Sequence, residues 1–165
     1  MAEDENFCDE IQKMFPKVIF VIEPIVKLEF LRGAYTKEHY GKKIKILEFE
    51  RFHDMVEHQE MFFRFNSLAY HIGLILAHEG HTSVPLGDLF IMARLAMYPK
   101  MLLFTKDKDF SSLLFDRELV ISVKRKSRLE TYSLLQFSQE KYNMHIKTIP
   151  IFTNLNDRQN KPLII

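Results

Sequence analysis

The alternation of apolar and polar residues is clearest between residues 86 and 104, where it predicts a helix and then a short buried strand. In LGDLFIMARLAM, apolar residues recur at the spacing of one helix face: Leu86, Leu89, Phe90, Ala93 and Met97. Pro99 predicts the end of this helix, because proline lacks the N–H that a helix interior requires. The four apolar residues 101–104 are typical of a parallel strand covered on both faces.

Acidic and hydroxyl side chains lie near both ends of this segment. Asp88 falls in the first turn of the predicted helix, where the positive end of the helix dipole favours an anion. Thr105, Asp107 and Asp109 follow the strand at its carboxyl end, the edge where ligands bind in open α/β sheets. Each acid also has a plainer interpretation. Asp88 can simply complement the dipole, and the other two aspartates suit a turn before a short helix over 110–115.

Shorter patterns predict the other elements of a mixed α/β domain. Helical spacing of apolar residues predicts helices over 4–15, 24–32, 46–65 and 66–79, and short apolar runs predict strands over 17–22 and 119–123. Pro24 suits the first turn of its helix, and Gly33 lies just past the end of the same helix. Gly80 ends the helix over 66–79.

Composition limits the class of protein. With 165 residues and 47% apolar content, the chain is long enough for one domain with a hydrophobic core. The net charge of +1 names no partner, so any nucleic-acid site must be a local basic patch. The single cysteine, Cys8, excludes a disulfide framework and a cysteine-based zinc site. No apolar run approaches the roughly 20 residues of a membrane span. The N-terminus is acidic, unlike a secretory leader, so we expect a cytoplasmic protein with no membrane partner.

Three motifs follow one another along the chain: VIEPIVKLEFLRG (21–33), HEGHTSVPLGDLFIMARLA (78–96) and LLFTKDKDFSSL (102–113). In their order and spacing, within a similarity that spans 18–119, they resemble the PIN-domain family, especially its VapC-type toxins. The resemblance implies a three-layer α/β/α fold with a small parallel sheet. It also implies a metal-dependent endoribonuclease that hydrolyses RNA phosphodiester bonds with Mg²⁺ or Mn²⁺, as the toxin of a toxin–antitoxin pair.

The resemblance assigns roles to individual residues. Glu29, Asp88 and Asp107 match the family's second, third and fourth acids, which implies that they bind the metal and are catalytic. Asp109 is a neighbouring candidate ligand, and Thr105 matches the hydroxyl residue of the last motif, beside the cofactor. Small hard cations take such oxygen ligands, and a bound metal can activate water for an in-line displacement. Without the resemblance, Glu29 would be interpreted as a solvated surface residue.

One part of the family pattern is missing. PIN domains open with a strand that ends in the first acid, whereas residues 1–16 here predict a helix and 17–22 match the second strand. Three explanations stand: the sequence starts inside a longer gene product, the chain is a degenerate member that binds without cutting, or a later segment (146–152 or 162–165) replaces the strand. We therefore expect a PIN-like domain over 1–123, incomplete at its N-terminus, and a C-terminal extension and tail over 124–165. The alternative function is a catalytically impaired PIN-like domain that binds RNA or protein.

Two basic clusters are candidates for RNA binding: Lys124, Arg125 and Lys126 with Arg128 in one, and Lys37, Lys42, Lys43 and Lys45 in the other. Contacts with phosphates supply affinity that is independent of base sequence. Each cluster taken alone is also typical of a solvated face.

Histidines and one apolar segment complete the candidates. His71, His78 and His81 suggest a zinc site, but no cysteine or second pair completes one, so we interpret them as helix-end and surface residues. The resemblance implies an antitoxin protein and a second copy of the chain as partners. The segment over 55–65 carries more apolar surface than one core face requires, which favours a homodimer or a filled core: Met55, Met61, Phe62, Phe63 and Phe65.

Overall fold

The computed structural model describes residues 5–48, 52–54, 59–107, 110, 112–125 and 128–149. This part of the chain forms six helices and five strands, so the expected mixed α/β class is confirmed. The elements in chain order are α1 (Glu5–Met14), β1 (Phe20–Ile22), α2 (Pro24–Arg32), α3 (Lys37–Leu47), β2 (Phe52–Asp54), α4 (Gln59–His78), α5 (Leu86–Met97), β3 (Leu102–Thr105), β4 (Phe115–Arg125), β5 (Arg128–Phe137) and α6 (Gln139–Ile146).

The chain divides into two compact units. Unit 1 comprises Met1–Gln59 with Ser122–Glu130, and unit 2 comprises Glu60–Ile121 with Thr131–Ile165. Residues 131–149, which sequence analysis assigned to an extension, contribute apolar side chains to the core of unit 2. The predicted domain boundary after residue 123 stays a prediction.

Local signals in the sequence account for the helices of unit 1. Pro24 occupies the first turn of α2, and Gly33 caps its C-terminus, as predicted. Thr36 caps α3 because its Oγ1 accepts a hydrogen bond from the N–H of His39 at 3.0 Å. β1 lies at the end of the predicted strand over 17–22 and pairs in parallel with β2, with Phe20 opposite Phe52.

The predicted helix over 46–65 is wrong as a single element, although both of its ends are helical. α3 ends at Leu47, β2 covers Phe52–Asp54, and α4 begins at Gln59. β2 is stabilised by backbone pairing with β1, about thirty residues earlier in the chain, and periodicity within a short window contains no information about such a distant partner.

Unit 2 is built on the packing of α4 against α5. Phe65, Ala69, Ile72 and Leu76 recur on one face of α4, and all four are buried. α4 ends where Gly80 adopts a φ of +89°, a left-handed conformation that favours glycine. α5 has the predicted bounds, although its second half is buried all round rather than on one face. The shared core includes Ile72, Ile75, Leu76, Met92, Ala93, Leu114, Phe115, Leu135 and Phe137.

The predicted parallel strand over 101–104 is wrong in its pairing. β3 pairs with β5 in antiparallel register, with Leu102 opposite Gln136 and Thr105 opposite Ser133. The strand order in the described sheet is β3-β5-β4, so β3 lies at an edge, and 45% of Leu102 is exposed. An apolar run of four residues fits an edge strand as readily as a buried parallel one. The argument that ligands bind at the carboxyl edge of a parallel sheet therefore does not apply to β3.

Two smaller predictions also change. The strand over 119–123 lies within β4 and is confirmed, and it is followed by a further strand, β5, that the sequence did not predict. The short helix over 110–115 is wrong: residues 112–114 form a turn, and β4 begins at Phe115. Among the helices described, none combines the length and the apolar character needed to cross a bilayer.

Candidate functional site

The predicted acids occupy the local structures that the motifs imply. Glu29 lies in α2, is exposed, and belongs to unit 1. Asp88 lies in the first turn of α5 and is half-buried, and its backbone N–H donates to the carbonyl of Pro85 at 3.1 Å. Asp107 is exposed and lies two residues beyond the end of β3. Asp88 and Asp107 both belong to unit 2.

The hydroxyl of Thr105 has a local structural role. Thr105 Oγ1 accepts a hydrogen bond from the backbone N–H of Asp107 at 3.0 Å, which fixes the turn after β3. Asp109, the other predicted ligand here, lies outside the described residues. The cofactor role of Thr105 stays a prediction.

The described residues of each unit do not fit a metal ion. Within either unit, no set of three described His, Cys, Asp or Glu side chains is arranged to hold one. Hard cations usually need several carboxylates, or carboxylates with substrate phosphates, so two aspartates of unit 2 do not make a site by themselves. The convergence of Glu29, Asp88, Asp107 and Asp109 stays a prediction.

The lysines predicted to bind RNA differ in their surroundings. Lys42 is exposed, and its Nζ lies 2.7 Å from Glu38 Oε1, one helical turn away. Lys43 is buried, its Nζ donates to the carbonyl of Phe30, and the same nitrogen lies 4.5 Å from the centre of the Phe30 ring. Lys43 thus supplies a hydrogen-bond donor to a carbonyl at the C-terminal end of α2, and its buried ammonium is not accessible to a phosphate.

The second basic cluster is only partly described. Lys124 is exposed on β4, and Arg125 is the last residue of that strand. Lys126 lies outside the described residues. RNA binding by this cluster stays a prediction.

Histidines form contacts that the sequence did not predict. Glu79 Oε1 lies 3.3 Å from His78 Nδ1 and 3.3 Å from His145 Nδ1, so one carboxylate bridges the end of α4 and the end of α6. Hydrogen bonds from the histidines, first that of His78, lower the pKa of Glu79. His71 Nδ1 lies 3.1 Å from the Tyr142 hydroxyl. His145 is 66 residues from Glu79, and no sequence spacing connects them.

Stability of unit 2 should depend on pH through His71. Burial lowers the pKa of His71, so the unfolded chain binds its proton more readily, and stability should fall as pH drops below about 6.5. The lowered pKa of Glu79 adds a further loss only below about pH 4.5. In urea unfolding followed by circular dichroism, we expect the free energy of unfolding of His71→Gln to change less between pH 7 and pH 5 than that of the unchanged protein.

Tyr142→Phe is the matched control for this experiment. It removes the hydroxyl that contacts His71 but leaves the histidine in place, so the pH dependence should persist at a lower overall stability. If the free energy of unfolding of His71→Gln changed with pH as steeply as that of the unchanged protein, the assignment of the pH dependence to His71 would be wrong.

The apolar segment over 55–65 is divided between core and surface. Phe65 is buried and Met61 packs against the core of unit 2, whereas 76% of Phe63 is exposed. Met55 and the side chain of Phe62 are outside what the structure describes. The homodimer stays a prediction.

A surface that sequence analysis missed lies where α2 meets α3. An open depression of about 640 Å³ in unit 1 is lined by the residues of this connection: Leu31, Arg32, Ala34, Tyr35, Thr36, Lys37 and Tyr40. The sequence predicts only positive charge here, at Lys37, because no local pattern indicates that a tyrosine between two helices is exposed. We call this depression the Tyr35 surface.

Comparison of the chain with models of protein families, with curated proteins and with solved structures gave no match.

Proposed function

We propose that this chain is a PIN-like domain that binds RNA and cleaves it weakly or not at all. One observation supports the PIN-like assignment and the weak cleavage. Asp88 and Asp107 lie in unit 2, in the helix turn and strand end that the motifs imply, yet no third described side chain of that unit joins them in a metal-holding set. Without such a set, the described residues give no basis for a metal-dependent step.

RNA is the proposed ligand because exposed cations accompany the PIN-like motifs. Lys42 and Lys124 are exposed, and contacts between such side chains and phosphates supply affinity that weakens with added salt. The near-neutral net charge of +1 means that this affinity depends on where the cations lie rather than on their total number.

A metal-dependent endoribonuclease, as part of a toxin–antitoxin pair, is the second candidate. The observation that favours it is that Asp107 is exposed and Asp88 is half-exposed, so solvent reaches both carboxylates. The candidate requires a third acid, for which Glu29 and Asp109 are the predicted residues, and Mg²⁺ or Mn²⁺ as cofactor.

One experiment separates the two candidates. With a fluorescently labelled single-stranded RNA in EDTA, we expect binding with a Kd on the order of 1–100 μM, typical of sequence-independent contacts. With Mn²⁺ or Mg²⁺ in place of EDTA, we expect little or no cleavage on a denaturing gel. Asp88→Asn should leave the binding in EDTA unchanged within about twofold.

Each other outcome has a definite meaning. Rapid cleavage that is lost in EDTA and in Asp88→Asn would establish the second candidate. Cleavage that survives both would contradict a PIN-type mechanism. Absence of RNA binding in EDTA would contradict the first proposal.

A further inference from the structure

The Tyr35 surface presents aromatic rings to solvent. Tyr35 is 91% exposed, and Tyr40 is 47% exposed. The ring of Tyr35 is stacked against His39, with ring centres 6.1 Å apart and an angle of 23° between the planes. One face of the Tyr35 ring therefore stacks on another ring, and the exposed remainder of the Tyr35 ring is available to a flat ligand.

The backbone beneath these rings is held by a dense set of local hydrogen bonds. Three of them are backbone hydrogen bonds to carbonyl oxygens. The N–H of Gly33 donates to the carbonyl of Glu29 at 3.3 Å, that of Ala34 to the carbonyl of Leu31 at 3.0 Å, and that of Tyr40 to the carbonyl of Thr36 at 2.9 Å. Lys43 Nζ donates to the carbonyl of Phe30 near the C-terminal end of α2. A ligand that binds here meets a surface that is already arranged, so little conformational entropy is lost on binding.

The charges at the rim are positive. Arg32 and Lys37 line the depression and are both exposed. The nearest acid on α3, Glu38, is held in an ion pair with Lys42. Three of these four side chains are positive (Arg32, Lys37 and Lys42) and one is negative (Glu38). Their net charge is positive, so the rim attracts an anion.

We propose that the Tyr35 surface binds single-stranded RNA, with a base stacked on Tyr35 and phosphates contacted by Arg32 and Lys37. Exposed aromatic rings beside cations are the chemistry with which proteins hold single-stranded nucleic acid, since every base has a face that stacks and every nucleotide has a phosphate. A base paired in a duplex does not offer its face, so double-stranded RNA should bind more weakly here. The inference rests on the proposed function for the choice of RNA over DNA.

The test uses the full chain in EDTA, so that binding is measured without cleavage. Fluorescence anisotropy with a labelled 12-nucleotide oligouridine should show Tyr35→Ala binding roughly 5- to 150-fold more weakly than the unchanged protein, the loss typical of one stacked base. Tyr35→Phe keeps the ring and should bind within about twofold. Tyr70→Ala is the matched control, because it removes another exposed tyrosine from a helix in unit 2.

A salt titration tests the two cations. The slope of log K against log salt should become shallower by roughly 0.7 for each phosphate contact removed, so by roughly 1.4 in the double variant Arg32→Gln/Lys37→Gln. Circular dichroism of each variant should match that of the unchanged protein, which excludes loss of folding as the cause.

The outcomes distinguish this surface from the function itself. If the chain binds oligouridine and Tyr35→Ala binds equally well with the same salt slope, the proposal that RNA binds at the Tyr35 surface is wrong, and RNA binding by other residues stands. If Tyr70→Ala weakens binding as much as Tyr35→Ala, stacking at the Tyr35 surface is also wrong. If the chain binds no RNA in EDTA, both proposals fall, and a protein partner becomes the explanation for exposed tyrosines.

Discussion

Replacing Ile72 by alanine is expected to lower the free energy of unfolding of unit 2 by roughly 2–5 kcal/mol. Ile72 has no exposed surface and lies on the inner face of α4, within the core that also contains residues of α5 and β5. The substitution removes buried apolar atoms and leaves a cavity that its neighbours fill only in part. Urea unfolding followed by circular dichroism measures the loss.

Ile19→Ala is the matched control, because the same atoms are removed from a side chain that is 70% exposed. We expect a change within about 0.5 kcal/mol, as for most surface substitutions. An equal loss in both variants would mean that Ile72 is not in a tightly packed core.

Helix ends were predicted well because their signals are local. Proline at the start of α2, glycine beyond its end, and Gly80 with its positive φ each act within one turn of the chain. The start of α4 was predicted seven residues too late, since apolar residues before Asn66 continued an earlier pattern without a clear break. Local chemistry therefore locates an element better when a proline or glycine marks its boundary.

Strand pairing was predicted poorly because it depends on distant residues. β2 is stabilised by its pairing with β1. β3 is antiparallel to its partner β5, a strand that begins 23 residues after β3 ends. The hydrogen bonds of a ladder belong to both strands, and a window on one strand contains half of the information. A polar composition after residue 124 also concealed β5, whose buried positions are only every second or third residue.

The candidate site shows the same limit. The sequence located Asp88 in a helix turn and Asp107 after a strand, and both placements hold. Convergence of carboxylates is a long-range property, and the parallel sheet that was to bring them together is replaced around β3 by an antiparallel one. The bridge from Glu79 to two histidines was missed for the same reason, since one of its partners comes from α6.

Lys42 and Lys43 show how adjacent residues of one type acquire different roles. In α3 the buried positions are Lys43 and Leu47, one turn apart on the same helix face. Lys42 is rotated about 100° from that face and meets solvent. A lysine on an apolar helix face is usually assumed to extend its charge to water, but here the carbonyl end of α2 and the ring of Phe30 supply the partner.

Lys43→Met is therefore expected to destabilise unit 1 by roughly 1–3 kcal/mol. Methionine keeps most of the aliphatic stem, but it removes a charged hydrogen bond to the Phe30 carbonyl and a cation–π contact with the Phe30 ring. The carbonyl is left without that donor at the end of a helix. Hydrogen exchange followed by mass spectrometry should show faster exchange in peptides from α2 and α3, with peptides from α4 and α5 unchanged.

Lys42→Met is the control, and we expect it to leave the stability of unit 1 nearly unchanged while RNA affinity falls. The pair with Glu38 is exposed and screened by solvent, so it contributes little to stability, and exchange in α2 and α3 should stay nearly the same. RNA affinity should fall and the salt slope should become shallower by roughly 0.7 if Lys42 contacts a phosphate. Equal stability losses in the two variants would contradict the structural role of Lys43. The same contradiction would follow if Lys43→Met stayed fully folded and lost RNA affinity to the same extent as Lys42→Met.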